Sequence, residues 1–451
     1  MPALGPRIVV SGTHSGVGKT TVATGLMAAL AARGLRVASA KVGPDFIDPS
    51  YHAVATGRPG RTLDAWLSGD ALLPSLAASG SEDADVLVVE GVMGLFDGSS
   101  EPGCDGSTAA VARLLDAPVV LVVDASAMSG SVAAVVHGYR DLDRRVRVAG
   151  VVLNRVAGEG HATMLREALQ PLGVPVLGAL FDDPQLVWRE RHLGLVPVAE
   201  HPAEVRVAVE RLGAVIERAC DVAAVLAAAR AAPPHHVAAA PTAAAVGGVR
   251  IALASGPAFS FTYPENVALL AAAGAELVPF DPLVDERLPD GCAALYAGGG
   301  FPEVFAGALG DNRPLLDDVG RHLARGMLVW AECGGLVWLC EALDGVAMVG
   351  AIPAEARMTE RLTIGYRTAV TRTSSPLGPP GTTLRGHEFH RSMTDPAGDA
   401  LELRSRFGAG TAGFASPTLF ATYLHQHLAA TPELAERFVT SSTTPRARGM
   451  P

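Results

Sequence analysis

Six continuously apolar runs punctuate the first half of the chain: RIVVSG (7–12), LRVASAKV (35–42), DVLVVEG (85–91), PVVLVVDA (118–125), VAGVVLN (148–154) and VPVLGAL (174–180). None alternates apolar with polar residues. A strand buried on both faces reads this way, and a parallel sheet covered by helices is built of such strands. Stretches of helical composition, such as TVATGLMAALAARG, lie between the runs. The alternation predicts repeated β-α-β units in an open α/β sheet. The second half repeats the pattern on a shorter scale. VRIALAS from Val249, AELVPF (275–280), AALYAGG (293–299) and GMLVWAE (326–332) read as strands, with ENVALLAAAG and PLLDDVGRHLARG as helices between them.

Between the halves lies an Ala- and Pro-rich segment, 222–247. Its first part, to about Ala232, can finish a helix. Its Pro-Pro-His-His and Ala-Pro stretches predict a semi-extended linker. The expected division is a domain over 1–225, a linker over 226–247, a second domain over 248–442 and a flexible tail over 443–451. A length of 451 residues agrees with two or three domains.

Composition narrows the class. Hydrophobic residues make up 49% of the chain and charged residues 18%, which excludes a disordered protein. No apolar run is long enough for a membrane helix, and the N-terminus lacks the pattern of a signal peptide. The five cysteines, 104, 220, 292, 333 and 340, are odd in number and form no CxxC. That argues against a disulfide framework and a zinc site, and fits a reducing cytoplasm. A net charge of −10 argues against a nucleic-acid partner, which needs a basic face.

The candidate chemistry begins at GTHSGVGKTT, Gly12 to Thr21, directly after a strand and before a helix. This is the context of a phosphate loop. Gly12, Thr13, Gly16 and Gly18 turn backbone N–H groups onto phosphate, and the helix offers its positive end. Lys19 reaches the β/γ-phosphates, Thr20 presents its hydroxyl to Mg²⁺, and Thr21 completes the ATP-binding stretch. Glu90, at the end of an apolar strand, is the expected metal carboxylate. Lys41 and the run VGPDFIDPSYH follow the second strand. In it, Asp45 and Asp48 can hold Mg²⁺, position water, stabilise a phosphorylated intermediate, or merely form a turn. Asp97 follows Glu90 in GLFDGS.

In the second half, Cys333 lies in LVWAECGGLVWL: a strand, a Cys, two Gly and a helical run. This is the logic of a nucleophile elbow, and a helix N-terminus is expected to lower the thiol pKa. Cys340 reads as a structural thiol. The GGGFPE loop supplies Gly299 and Gly300 as oxyanion-hole candidates. His425 is the candidate base, with His387 and His390 as competitors. Arg357, Arg361 and Arg367, together with Arg189 and Arg191, are candidates to meet an anionic substrate.

With both halves in view, the chain resembles the cobyrinic acid a,c-diamide synthase family nearly end to end. The resemblance rests on GTHSGVGKTT, KVGPDFIDPSYH, VEGVMGLFDG and RERHLGLVPVAE, then GGGFPE, AECGG, MTERLTIGYR, GHEFHRS and TYLHQH. It implies a dethiobiotin-synthetase-like domain that binds ATP and a corrin polycarboxylate, followed by a class I glutamine amidotransferase domain. Carried over by motif, Cys333 is the glutaminase nucleophile and His425 its activator. Lys19, Thr20 and Glu90 fall to MgATP. Asp45, Asp48 and Asp97 fall to metal binding or substrate phosphorylation. Class I glutaminases place Glu two residues after the catalytic His, but here that position is His427. The third role of the triad is therefore unassigned. The implied reaction is phosphorylation of the a and c carboxylates by ATP and their displacement by ammonia from glutamine, which requires an enclosed path for the ammonia. Two rivals stand beside it: a P-loop regulatory ATPase, and an amidotransferase acting on another tetrapyrrole or on cell-wall material. A homodimer is compatible with the sequence, which does not fix the assembly.

Overall fold

The computed structural model describes residues 2–99, 103–182, 190–191, 194–406 and 408–443. It divides into two compact units, Met1–Ala240 and Pro241–Pro451.

The first unit is built on seven parallel strands. They are β1 (Arg7–Gly12), β2 (Val37–Val42), β3 (Arg61–Leu63), β4 (Val86–Glu90), β5 (Val119–Asp124), β6 (Val148–Val156) and β7 (Val176–Phe181). Their order across the sheet is β3-β2-β4-β1-β5-β6-β7. Every residue of β1, β2 and β4 is buried, which is why these runs show no polar alternation. Helices α1 (Lys19–Ala32) and α2 (Ile47–Thr56) follow β1 and β2. The long α3 (Pro202–Ala219) packs on α1, and Gly25 and Gly213 allow the close approach. Neighbouring strands β1 and β4 send their connections to opposite sides, to β2 and β5. Such a switch point opens a crevice at the carboxyl ends of the strands, where α/β sheets bind ligands.

The division between the units differs from the expected linker. The Ala-rich run continues as a helix over Val222–Arg230, capped by the Asp221 side chain. Beyond the Pro-Pro break, His235–His236 pairs antiparallel with Ala3–Leu4. The buried Arg7 adds a hydrogen bond to Pro233 O at 2.8 Å. Backbone that looked like a spacer thus finds partners in the first unit, which extends to Ala240. Of the expected tail, only Thr443 belongs to the described residues, as the last residue of a helix from Glu433.

The second unit carries two sheets. The first contains β8 (Val249–Ala254), β9 (Ala275–Phe280), β10 (Ala294–Ala297), β11 (Leu328–Glu332) and β14 (Leu419–Thr422). These run parallel in the order β9-β8-β10-β11-β14, and Phe414–Ser416 closes the edge antiparallel. Helix α4 (Pro264–Ala272) follows β8, α5 (Arg313–Ala324) precedes β11 and α6 (Gly334–Leu339) follows it. Between β11 and β14 the chain makes a second sheet, unforeseen in the sequence. Its long strands, β12 (Ile352–Thr371) and β13 (Thr383–Asp395), pair antiparallel with a register shift between Met358 and Thr363. Short β15 (His425–Gln426) adds to β13 and places His425 opposite His387.

Candidate functional site

In the first unit the phosphate loop bridges β1 and α1. Gly16 and Gly18 adopt φ of 80° and 95°, a region open to glycine without strain. A Cβ on Gly18 would also clash with Asn154, whose Nδ2 donates to Val17 O at 2.8 Å. Asn154, near the carboxyl end of β6, thus props the loop from below. Lys19 folds back over it, donating to His14 O at 3.0 Å, and the Tyr139 hydroxyl donates to Thr13 O. Arg155 donates to Gly16 O at 3.0 Å and pairs with Asp124.

Acidic groups converge beside this loop. Thr20 Oγ1 donates to Glu90 Oε1 at 2.7 Å and lies 3.3 Å from Asp48 Oδ2. The buried Lys41 ammonium sits 2.6 Å from Asp48 Oδ2, 2.7 Å from Glu90 Oε1 and 3.2 Å from Gly91 O. His52 Nε2 lies 2.6 Å from the other Glu90 oxygen. Burial pushes Glu90 up, but Lys41 and His52 more than offset it and hold the carboxylate well below its ordinary value. Burial works against the Lys41 charge too, and is overcome by Asp48, Glu90 and Asp45, so this lysine stays protonated. Burial and Lys41 together pull Lys19 down to about 8.

Lys19, Thr20, Thr21, Lys41, Asp45, Asp48 and Glu90 line one cavity of about 400 Å³, together with Asn154, Arg155 and Asp182. Two expectations change here. Asp45 Oδ1 accepts from the backbone N–H groups of Ile47 at 2.8 Å and Asp48 at 3.3 Å, so it caps the start of α2. Asp48, not Asp45, is the carboxylate brought onto Thr20 and Glu90. Asp97 is exposed, accepts from Gly94 N–H at 2.9 Å and does not line the cavity. His52 was missed in the sequence. Its spacing of four from Asp48 on a helix, which sets both on one face, was the available signal.

In the second unit Cys333 stands between β11 and α6 at φ 47° and ψ −101°. A side chain at positive φ costs roughly 1–3 kcal/mol and persists where its surroundings enforce it. Here Cys333 N–H donates to Thr422 O at 2.8 Å, and Gly335 N–H to Gly298 O at 2.9 Å. A Cβ on Gly335 would run into the Ala297 carbonyl, which explains the Gly-Gly after the cysteine. The thiol is buried, at 6% exposure. Burial pushes it above its ordinary range, Glu303 adds to this, and the Gly334 N–H pulls down without prevailing. The expected lowering by a helix N-terminus is thus overturned. A helix of six residues offers little dipole against a dry site facing Glu303, Glu332 and Glu388.

The His425 ring lies over Gly299, where a Cβ would collide with it, and Gly300 N comes within 3.0 Å of a Cβ position on Gly334. One glycine loop therefore touches both the elbow and the imidazole. Gly299 N–H, however, already donates to Phe261 O at 3.0 Å. The donor expected of Gly299 is taken, whereas Gly300 N lies beside the elbow. Burial, His387 and His390 hold His425 at about 3, so its imidazole is neutral at physiological pH. Of its competitors, His390 stacks on Tyr423 with its Nδ1 2.8 Å from Ser392 O, and His387 faces Tyr366. Cys340 is buried, its Sγ bonded to Leu336 O.

The arginines do not form a free cluster. Arg357 pairs with Asp395 at 2.7 Å, Arg367 pairs with Glu388 at 2.8 Å, and Arg361 is exposed. Arg189 and the side chain of Arg191 lie outside the described residues. Among the described residues no cluster of His, Cys, Asp and Glu forms an all-protein metal site, and no helix is long and apolar enough to cross a membrane.

Residues 8–195 match the CobQ/CobB/MinD/ParA nucleotide binding domain, and residues 250–433 the CobB/CobQ-like glutamine amidotransferase domain. The chain is 48% identical to hydrogenobyrinate a,c-diamide synthase of Streptomyces coelicolor, over 97% of this chain and 98% of that one. It is 47% identical to the protein of that name in Thermobifida fusca, over 98% of each chain. It is 40% identical to cobyrinate a,c-diamide synthase of a Synechococcus species, over 96% of this chain and 97% of the other. A nucleotide-binding unit and a glutaminase unit joined in one chain, with such identity over nearly the whole length, settle the matter: the chain belongs to the hydrogenobyrinate and cobyrinate a,c-diamide synthases, ATP-driven, glutamine-dependent amidotransferases.

Proposed function

We propose that this enzyme converts the a and c carboxylates of hydrogenobyrinic acid, the metal-free corrin, into amides. The supporting observation is the gradient of identity: 45–48% to relatives named for hydrogenobyrinate and 40–41% to those named for cobyrinate. The five free cysteines support a reducing compartment, the cytoplasm.

A carboxylate is a poor electrophile, so its oxygen first attacks the γ-phosphorus of ATP, expelling ADP and leaving an acyl phosphate. Lys19 and the loop N–H groups carry the charge of the transferring group. The oxygen donors Thr20, Glu90 and Asp48 suit Mg²⁺ and line one cavity; burial and Asp45 push the Asp48 carboxyl well above its ordinary range, so a cation bound there would take the place of its proton. When bound there, Mg²⁺ supplies neutralisation of the phosphate oxygens. In the second unit Cys333 attacks the side-chain amide of glutamine. Its thiol proton passes to His425 and on to the leaving ammonia, and Gly300 N–H faces the developing oxyanion. Water releases glutamate from the thioester. Ammonia then displaces phosphate from the acyl phosphate.

The test is a competition between hydrogenobyrinic and cobyrinic acid with MgATP and glutamine, read as product mass. Two acid-for-amide exchanges on the metal-free corrin, at the higher kcat/KM, are expected. Turnover of cobyrinic acid alone overturns the substrate reading.

A second measurement probes the thiol. With Cys333 held protonated and His425 neutral in the free enzyme, the thiol–imidazole form that starts the reaction is already populated, so kcat/KM for glutamine is expected to stay flat across about pH 6 to 9. A limb with its midpoint inside that range would overturn this assignment of protonation states.

A further inference from the structure

The residue two places after His425 is His427, where class I glutaminases carry a carboxylate. The structure brings a carboxylate there from another element. Glu265 sits in the first turn of α4, and its Oε2 lies 3.5 Å from His427 Nε2. Both side chains are buried, at 4% and 0% exposure. Tyr263, just before α4, covers the His427 ring, with centroids 5.0 Å apart.

The backbone between the two histidines is clamped from both sides. Gln426 N–H donates to Glu332 Oε1 at 3.1 Å, and Gln426 O accepts from Asn266 Nδ2 at 2.6 Å. Asn266 Oδ1 also accepts from Leu428 N–H at 2.9 Å, and Tyr296 donates its hydroxyl to the second Glu332 oxygen at 3.3 Å. His425 and Gln426 are a strand and His427 is extended at φ −108° and ψ 111°. Alternate residues of an extended segment share a face, with Cα atoms about 6.6 Å apart. The side chains of His425 and His427 thus leave the segment on one face, and the second meets a carboxylate.

We propose that Glu265 is a positioning residue of glutamine hydrolysis that acts through His427. It takes the orienting role that a glutamate two residues after the histidine has in class I glutaminases. The pair stabilises positive charge as the Cys333 proton moves onto His425. A carboxylate behind an imidazole fixes ring orientation and favours the imidazolium that forms in the transition state. The 3.5 Å separation suits a site at rest, since such contacts tighten when substrate binds. Neighbouring Asn266 is on the same turn, so α4 supplies both the backbone clamp and the carboxylate. The proposal rests on the assignment of His425 as the base.

The test is glutamate formation by the full enzyme turning over corrin, MgATP and glutamine, with ammonia-driven amidation measured in parallel. Glu265→Gln is expected to lower kcat for glutamine about 10- to 100-fold with KM within about threefold, and to leave the ammonia-driven reaction intact. Glu265→Asp is expected to keep most of the activity. His427→Glu placed in the Glu265→Gln background, which moves the carboxylate to the class I position, is expected to recover part of it. A residue that merely supports the fold gives no such rescue. Should Glu265→Gln unfold, His427→Asn carries the same expectation of a kcat loss. Wild-type kcat in either folded variant, alongside an inactive His425→Ala, overturns the relay and leaves His425 in place. An active His425→Ala overturns the base assignment and the relay with it.

Discussion

Cys333→Ala is expected to abolish amidation driven by glutamine, by a factor of at least about 10³, and to leave amidation driven by added ammonia near the wild-type rate. The reasoning is geometric. Cys333 is the residue that β11 delivers at positive φ to the start of α6, and its backbone is pinned by Thr422. Alanine accepts the same position at a similar backbone cost and fills most of the volume, so the elbow survives while the nucleophile is gone. The phosphorylating machinery is built from residues of the other unit and is untouched. Product mass with glutamine and with ammonium chloride reads both halves in one experiment. Glutamine-driven turnover in this variant would remove Cys333 from the mechanism. Loss of both activities in a folded protein would assign it a role beyond releasing ammonia.

Glu90→Gln is expected to do the reverse. Amidation with either nitrogen source should fall by about 10³-fold or more, while glutaminase activity of the second unit persists. One Glu90 oxygen receives both the Thr20 hydroxyl and the Lys41 ammonium, and the other faces His52. The amide keeps the shape but loses the charge that holds Lys41 and would bind Mg²⁺. Breaking a buried ion pair by neutralising one partner costs about 3–5 kcal/mol, so thermal unfolding must be followed beside activity. A folded variant with normal ATP-dependent amidation would rule Glu90 out as the metal carboxylate.

How much of this was legible beforehand depends on how locally each feature is encoded. The strands of the first sheet carry their burial in their composition, and the structure places them within a residue or two of the apolar runs. Exceptions are instructive. β3 has only three residues, too few to register as a run. β12 and β13 mix buried with exposed, charged positions along their length, such as Arg357 and Arg361 on β12, and so gave no apolar run to read. The helix through 222–230 falls within the stretch read as able to finish a helix, but the Pro-Pro-His-His stretch after it was read as linker, because its sequence says nothing of the Ala3–Leu4 strand that pairs with His235–His236 and ties the segment to the first unit.

The same division runs through the sites. The phosphate loop and the elbow are short-range devices. Their glycines, lysine and cysteine are adjacent in sequence because backbone turn and reactive group must be made by the same few residues. Sequence alone therefore determined the α/β class of both halves, the loop at 12–21, the carboxylate at the end of β4 and the strand–turn–helix elbow at 333. Which side chains those groups meet was left to the tertiary structure. Only packing could show that Asp48 reaches Thr20 while Asp45 turns back to cap α2, or that Phe261 occupies the Gly299 donor. Only packing could show burial outweighing a short helix at Cys333, or a glutamate 162 positions before His427 arriving beside it. The physical reason is one of range: turns and strand burial are decided by neighbours in the chain, whereas proton affinity and hydrogen-bond partnership are decided by neighbours in space.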